Sequence, residues 1–467
     1  MNIKDIISDK ITYEALTILI PVKKTCMMYR VSKEIHDYLQ SVKLGIHVKI
    51  SKINKSPDIS ILLHKLEELN KNISIRSISF TGYHFEGVIG EAIIKELFND
   101  RHRTVSFGDC AASLRAGCTI TSLDFSYNYL DANTRHTIAE ALHANTTIET
   151  LSLRNMKLVE SRGHKIVDAL RNNKTITSLD LGCNNLDASK SEGEWNNLDE
   201  DIDEVYDKYG VYAIIEDYAI VIANMIKENT TIVKLNLESN CPGEIGIDEI
   251  SDALRVNTTI TNLNLSRNNL EEYGTQKITD ALYMNTTITA LNLSNNSLGE
   301  NGLLIIAEAL YVNTTLRVLN LSHNYLRRHS FCSEIGIIAI ANALCKNNTI
   351  TELNLEHNKI GLNGARELSK ALCVNKTIKI LNLEHNKLRE RGACAIAEAL
   401  RVNTTLQCLN LNNNKLEKYE VHAIIDALRN NNTITSLDLG WNDLSENEKK
   451  RVRDALRENH TLTELFV

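Results

Sequence analysis

ITNLNLSRNNLEEYGTQKITDALYMNTTI, residues 260–288, contains one complete cycle of a pattern that recurs through most of the chain. Leu263 and Leu265 alternate with polar Asn262, Asn264 and Ser266, the period-two signature of a strand with one buried side. Asn268 and Leu270 stand where that strand must turn, and an amide there can satisfy backbone groups that turning frees. Ile278, Ala281 and Leu282 then fall at helical spacing, Ala and Leu together allowing a helix to lie close on a sheet. Asn285-Thr286-Thr287 stops the helix, and Ile288 leads into the next strand.

The turn Asn recurs at Asn128, Asn184, Asn240, Asn268, Asn296, Asn324, Asn358, Asn386, Asn414 and Asn442, mostly 28 residues apart, with Met156 filling one rung between 128 and 184. A strand–helix unit of this length cannot bury its apolar face alone, so successive units must stack. The expected fold is an α/β solenoid with a curved parallel inner sheet, outer helices and a small helical N-terminal cap. Residues 1–43 form the cap, 44–117 hold degenerate leading repeats, and 118–467 hold regular 28-residue repeats. The degenerate rungs are placed at Val48/Ile50, Ile78/Phe80 and Val105/Phe107, and a further strand begins at Leu465 and Val467. Two insertions break the spacing, an acidic one at 187–210 and a short one at 327–332.

Charge and cysteine narrow the function classes. The net charge is −7, and residues 187–210 alone hold nine acids against two bases, so the rest of the chain is balanced. That argues against electrostatic capture of nucleic acid or of an anionic membrane. Ten cysteines are scattered singly with no C-x-x-C pair, so neither a disulfide framework nor a zinc spacing is visible. The apolar run Ala15 to Val22 is too short to span a membrane and lacks a basic leader. A reduced, cytoplasmic protein is expected. The repeated Asn-x-Thr sequons then read as parts of the repeat.

Phosphate loops, nucleophile elbows and zinc-protease helices are absent from the sequence. No enzyme activity, cofactor or metal is expected. Asp199, Asp201 and Asp203 suggest a calcium loop, but Glu204 stands where its glycine is needed and Gly210 where its bidentate Glu is needed. The insert reads instead as a solvated acidic loop carrying Trp195, Tyr206 and Tyr209, with an ordered element and a partner-binding arm both open.

Recognition is expected on the open strand face. Its middle column, from Asp124 through Asn264 and Asn354 to Asp438, is nearly uniform and is expected to hydrogen-bond to itself between rungs about 4.8 Å apart. The column before the ladder Asn varies from repeat to repeat, as either a recognition face or drift would. The candidate partner-binding residues are Tyr127, Arg154, Trp195, Glu238, Arg267, His323, Glu356, His357, Glu384, His385 and Trp441. The histidines at 323, 357 and 385 on consecutive rungs suggest metal binding or pH sensing. NLEHNK stands identically at 354–359 and 382–387, however, so repeat duplication accounts for two of the three.

The unit LxxLxLxxNxLxxxGxxxIAxALxxNTT resembles the ribonuclease-inhibitor class of leucine-rich repeats, shared with NOD-like receptors and Ran GTPase-activating proteins. The resemblance covers roughly 118–467 and implies a solenoid that binds a protein partner on its concave face. LTILIPVKKTCMMYRVSKEIHDYLQS resembles the second half of an F-box, through Pro21, Val31, Ser32, Lys33, Ile35 and Leu39, although the family's opening Leu-Pro is replaced by Ile11-Thr12. That likeness implies a Skp1-type adaptor docking on Val31, Ile35 and Leu39, and so a substrate-recruiting ubiquitin-ligase component. A plain helical cap is the other reading of the same segment. A stoichiometric enzyme inhibitor and a GTPase-activating protein are the alternative functions. Weak self-association through the C-terminal strand edge is also expected.

Overall fold

The computed structural model describes residues 17–20, 46–51, 75–81, 84–85, 121–158, 163–186, 218–324, 334–457 and 459–467. They belong to two compact units, Met1–Asn184 with Glu228–Val233, and Asn185–Lys227 with Lys234–Val467. The division falls inside the span read as one run of regular repeats, beside the acidic insert. That insert, Trp195 included, lies outside the described residues, as do 327–332.

In the first unit six parallel strands form the main sheet: β1 (Thr17–Ile20), β2 (Ile46–Ser51), β3 (Ile75–Thr81), β5 (Ser122–Asp124), β7 (Thr150–Ser152) and β8 (Ser178–Asp180). A separate parallel pair joins β4 (His84–Phe85) to β6 (Tyr129–Leu130). Two expectations change here. Within the segment read as a helical cap, Thr17–Ile20 is strand, paired with His47–Ile50; its β-branched Thr17, Ile18 and Ile20 favour the extended backbone. Val31, Ile35 and Leu39 lie outside the described residues. Secondly, β3 pairs β5 directly, Ile78 opposite Leu123, so no strand intervenes between them. The rung expected at Val105/Phe107 falls on residues outside those described.

In the second unit β9 (Lys234–Asn236), β10 (Asn262–Asn264), β11 (Ala290–Asn292), β12 (Val318–Asn320), β13 (Glu352–Asn354), β14 (Ile380–Asn382), β15 (Cys408–Asn410), β16 (Ser436–Asp438) and β17 (Glu464–Phe466) pair in parallel, each with the next. The central leucines stand in register from Leu235 to Leu465. Between strands run helices such as Glu271–Met284, Gly299–Val312, Gly361–Val374 and Arg389–Leu400. Strand leucines and helix Ile, Ala and Leu share one buried layer: Leu265, Ile278, Ala281 and Leu293 are all nearly inaccessible. Burial of that apolar face is the main drive for stacking. Close approach at the helix starts requires glycine; a Cβ on Gly336 would sit 2.7 Å from Leu303 Cβ.

Two buried asparagine ladders stitch the repeats. At the strand end, Asn296 Nδ2 donates to Leu265 O of the preceding rung at 2.8 Å, and its Oδ1 accepts from Asn268 N–H at 2.8 Å. The same bonds recur at Asn268, Asn324, Asn358, Asn386 and Asn414. Met156 has its N–H capped by Asn184 Oδ1, but its thioether has no amide to return. At the helix end, Asn285 Nδ2 donates to Leu254 O and Asn257 O, while its Oδ1 accepts from Thr287 and Ile288 N–H. Asn313, Asn347, Asn375, Asn403 and Asn431 donate and accept in the same way. These are the sequon asparagines. Their buried amide nitrogens are committed to the fold, which gives the recurring Asn-x-Thr a structural cause.

Candidate functional site

Alternation along each short strand places three columns on the open face of the second unit's sheet. The first comprises Lys234, Asn262, Ala290, Val318, Glu352, Ile380, Cys408, Ser436 and Glu464. The sequence reading passed over it, although it lies two residues before the uniform column in the same frame. Ile380 is exposed there.

In the middle column Asn264, Asn354 and Asn382 cap backbone of their own repeats, where bonds between rungs were expected. Asn264 Oδ1 accepts from Ser266 N–H, Asn354 Oδ1 from Glu356 N–H and Asn382 Oδ1 from Glu384 N–H, each close to 3.0 Å. The side chain caps the backbone two residues on within its own repeat, the local bond that Asn and Asp form in turns. Its free amide reaches sideways instead: Asn382 Nδ2 donates to Glu356 Oε2 at 3.3 Å and Asn410 Nδ2 to Glu384 Oε2 at 3.0 Å. Glu356 and Glu384 are therefore held in place on the third column, with Arg154 and Glu238 at the equivalent positions of their own repeats.

The variable column lies on the turn just past the strand. All eleven of its residues, Tyr127, Arg267, His323, His357, His385 and Trp441 among them, have φ between 51° and 61°. Only glycine and, less well, Asn or Asp take this left-handed conformation without penalty. Each side chain thus leaves a fixed and strained backbone at the rim of the sheet.

The predicted residues meet in pairs. In the first unit Arg154 Nε donates to Tyr127 Oη at 3.3 Å. In the second, Arg267 Nε lies 3.8 Å from Glu238 Oε1, and His323 Nε2 lies 3.1 Å from Glu356 Oε1. His323, His357 and His385 stack as a column, with ring centroids 4.7 and 4.3 Å apart and planes within 19° and 6°. Stacked rings direct their in-plane nitrogens side by side, not to one point, and among the described residues no group of His, Cys, Asp and Glu is placed to hold a metal. Burial, with lesser repulsion from the imidazoles of His385 and His323, holds the His357 pKa below its ordinary value, against a backbone hydrogen bond and the weaker pull of Glu356, which oppose it. Trp441 is 86% exposed near the C-terminal strands.

Among the described residues no helix is long and apolar enough to cross a membrane. A family model for leucine-rich repeats matches residues 172–189, 285–307, 312–326, 346–369, 374–397 and 430–446. Among solved structures the chain is similar to the leucine-rich repeat-containing protein LegL7 from Legionella pneumophila, at 20% identity, TM-score 0.43, covering 69% of this chain and 94% of that one. It is also similar to the yeast Rad7 and Elc1 complex, at 14% identity, TM-score 0.46, covering 95% and 93%. A third similarity is to the tropomodulin C-terminal domain from Caenorhabditis elegans, at 14% identity, TM-score 0.29, covering 33% and 90%. Likenesses this distant carry no functional weight. No curated protein matches the sequence. The six matched stretches, the in-register strand leucines and the asparagine ladder at each strand end show that the chain carries leucine-rich repeats folded as an α/β solenoid.

Proposed function

We propose that the chain is a non-enzymatic scaffold that binds a protein partner on the open sheet face of its second unit. One observation carries this reading. The buried leucines and the two asparagine ladders repeat with little change, whereas the first and the variable columns of the exposed face differ from rung to rung. Those columns present charged pairs, a stacked imidazole row, Ile380 and Trp441, the mixture of aromatic, apolar and charged anchors found in protein interfaces. As a finer reading, the F-box-like stretch through Val31, Ile35 and Leu39 would dock a Skp1-type adaptor and make the bound partner a ubiquitin-ligase substrate. The residue matches in that stretch are its support.

The test is affinity capture with the purified full chain, read by quantitative mass spectrometry, beside Trp441→Ala and Ile380→Lys and an outer-helix control, Tyr419→Ala. Partners retained by the control and lost with both face variants are expected. A partner set that ignores both face variants would overturn the reading. For the finer reading, Val31→Asp should abolish binding of a Skp1-type adaptor. Failure of the intact chain to bind that adaptor at micromolar concentration would remove it.

A further inference from the structure

Two helix starts in the second unit are each served by a carboxylate of the preceding repeat. Glu300 Oε2 accepts from the N–H of Gly336 in the next repeat, and Glu334 Oε2 accepts from the N–H of Gly364 in the one after. Each Glu stands two residues before the glycine of its own repeat, Gly302 and Gly336 respectively. A carboxylate there is favourable because helix N-termini carry partial positive charge. In the following repeat that position, two before Gly364, is Leu362. Leu362 cannot accept from the helix Arg389–Leu400, so the pair of bonds breaks off here; Gly302 lacks one too, its N–H donating to Leu298 O while Glu272 accepts from Asn301 Nδ2.

A groove of about 940 Å³ lies at this break, lined by Leu362 together with Lys359, Lys387, Arg389, Arg391 and Lys415. The three lysines follow the ladder asparagines of consecutive rungs, and all three have left-handed φ between 52° and 58°, which fixes where each side chain starts. Arg389 and Arg391 sit in the first turn of their helix, the end where cations are disfavoured. Among the described residues Lys387, Arg389, Arg391 and Lys415 enter no ion pair. The acids of the lining are Glu334, Glu417 and Asp443. Of these, Glu334 is taken by Gly364, and Glu417 opens the capping box of the helix Lys418–Leu428. Among the described lining residues five cations stand against three acids, five minus three leaving a formal charge of +2.

Resting on the protein-binding reading, we propose that this groove is the seat for an extended acidic segment of the partner, laid across the rungs with its carboxylates on Lys387, Arg389, Arg391 and Lys415. An acidic peptide fits better than a nucleic acid. The lining intersperses acids among its cations, which a continuous polyphosphate would meet as repulsion. A peptide can place its carboxylates selectively and bring neutral residues to the acids.

The experiment is fluorescence anisotropy with the full chain and a labelled twelve-residue Glu-Ser alternating peptide at low and physiological salt. Binding that weakens with salt is expected. Lys387→Glu combined with Arg389→Glu should reduce affinity by about tenfold or more, while Arg255→Glu on the helix Gly243–Val256 should leave it unchanged. Melting temperatures check that each variant is folded. Should the reversal unfold the chain, Lys387→Ala with Arg389→Ala replaces it, with a smaller loss in the same direction. No binding, equal binding of a Gln-Ser peptide, or equal loss with Arg255→Glu would overturn the proposal. So would tighter binding of an oligothymidylate of equal charge, or binding that appears only when 187–210 is deleted, which would make the chain's own insert the occupant. Face-dependent capture that persists while the acidic peptide fails to bind sinks this proposal alone. Peptide binding without face-dependent capture sinks the sheet-face reading instead.

Discussion

Asn386 and Asn403 occupy the two turns of one repeat, and their amides do similar work. Asn386 donates to Leu355 O and accepts from Asn358 N–H; Asn403 donates to Leu372 O and accepts from Thr405 and Leu406 N–H. Their neighbours differ. At the helix end Thr follows two residues on in repeat after repeat, its hydroxyl against the Asn oxygen, and little varies. At the strand end the flanking residues are His385 and Lys387, both left-handed, where other repeats carry Arg267, Asn295, Trp441 or Ser297. A turn selected for folding alone would settle on glycine at such angles. On the proposed protein-binding reading, large side chains kept there against a backbone penalty would make the strand end the working rim and the helix end the seam.

Both turns rest on the same apolar floor, so the largest loss should come from removing part of it. Leu383 is fully buried beneath the strand end, and Leu383→Ala should cost about 2–5 kcal/mol. Nearest-neighbour coupling makes adjacent repeats weaken first. Chemical denaturation followed by hydrogen exchange reads both effects. A profile identical to the parent would mean that the two turns do not share a core.

Asn386→Ala and Asn403→Ala come next, each at about 2–4 kcal/mol, because each leaves at least two buried backbone groups without partners. The ladders are equivalent as stitching if the two losses match within experimental scatter. One large loss beside a negligible one would show that a single ladder holds the stack.

The third test separates the working rim from the stitching. His357 has φ 54°, so His357→Gly should relieve strain and stabilise the chain by about 0.5–1 kcal/mol, less the glycine's added unfolded-state entropy. The same change should weaken partner capture. Lost stability with unaltered capture would make His357 a fold residue and erase the contrast between the two turns.

The repeat period, the buried leucines and the strand-end ladder were legible in the sequence because they recur with little change. Asn285-Thr-Thr could be read as a helix stop, but its bonds to Leu254 and Asn257 require one repeat to lie on another, which linear spacing does not display. The middle column was assigned the wrong bond. An Asn that caps its own backbone and an Asn that bonds its neighbour in the stack leave the same alternating pattern. The variable column was placed on the strand because its usual marker, glycine, is missing; backbone angle is written there in His, Arg and Trp. The groove stayed hidden for a similar reason. It depends on Leu362 occupying a position that Glu300 and Glu334 show to be a carboxylate site, and those bonds span 36 and 30 residues.

The smallest expected effect is pH dependence at the histidine stack. In the folded chain His357 has a pKa below the ordinary 6.5, chiefly through burial, with His385 and His323 adding repulsion and Glu356 opposing them. Glu384 meets His357 through its backbone oxygen, which accepts the His357 N–H. The unfolded chain therefore binds a proton at His357 before the folded chain does. The neutral ring's contribution to stability is present above pH 6.5, declines as pH falls below it, and is lost once pH has fallen through the lowered folded value. Melting temperature measured from pH 7.5 to 5 should fall more for the parent than for His357→Gln, whose side chain does not titrate. The helix-end seam contributes nothing to this difference, since Asn403 and Thr405 do not ionise. Identical slopes for the two proteins would show that the stack is too open to solvent to resist protonation, and that His357 differs from the seam in side-chain chemistry without any difference in linkage to folding.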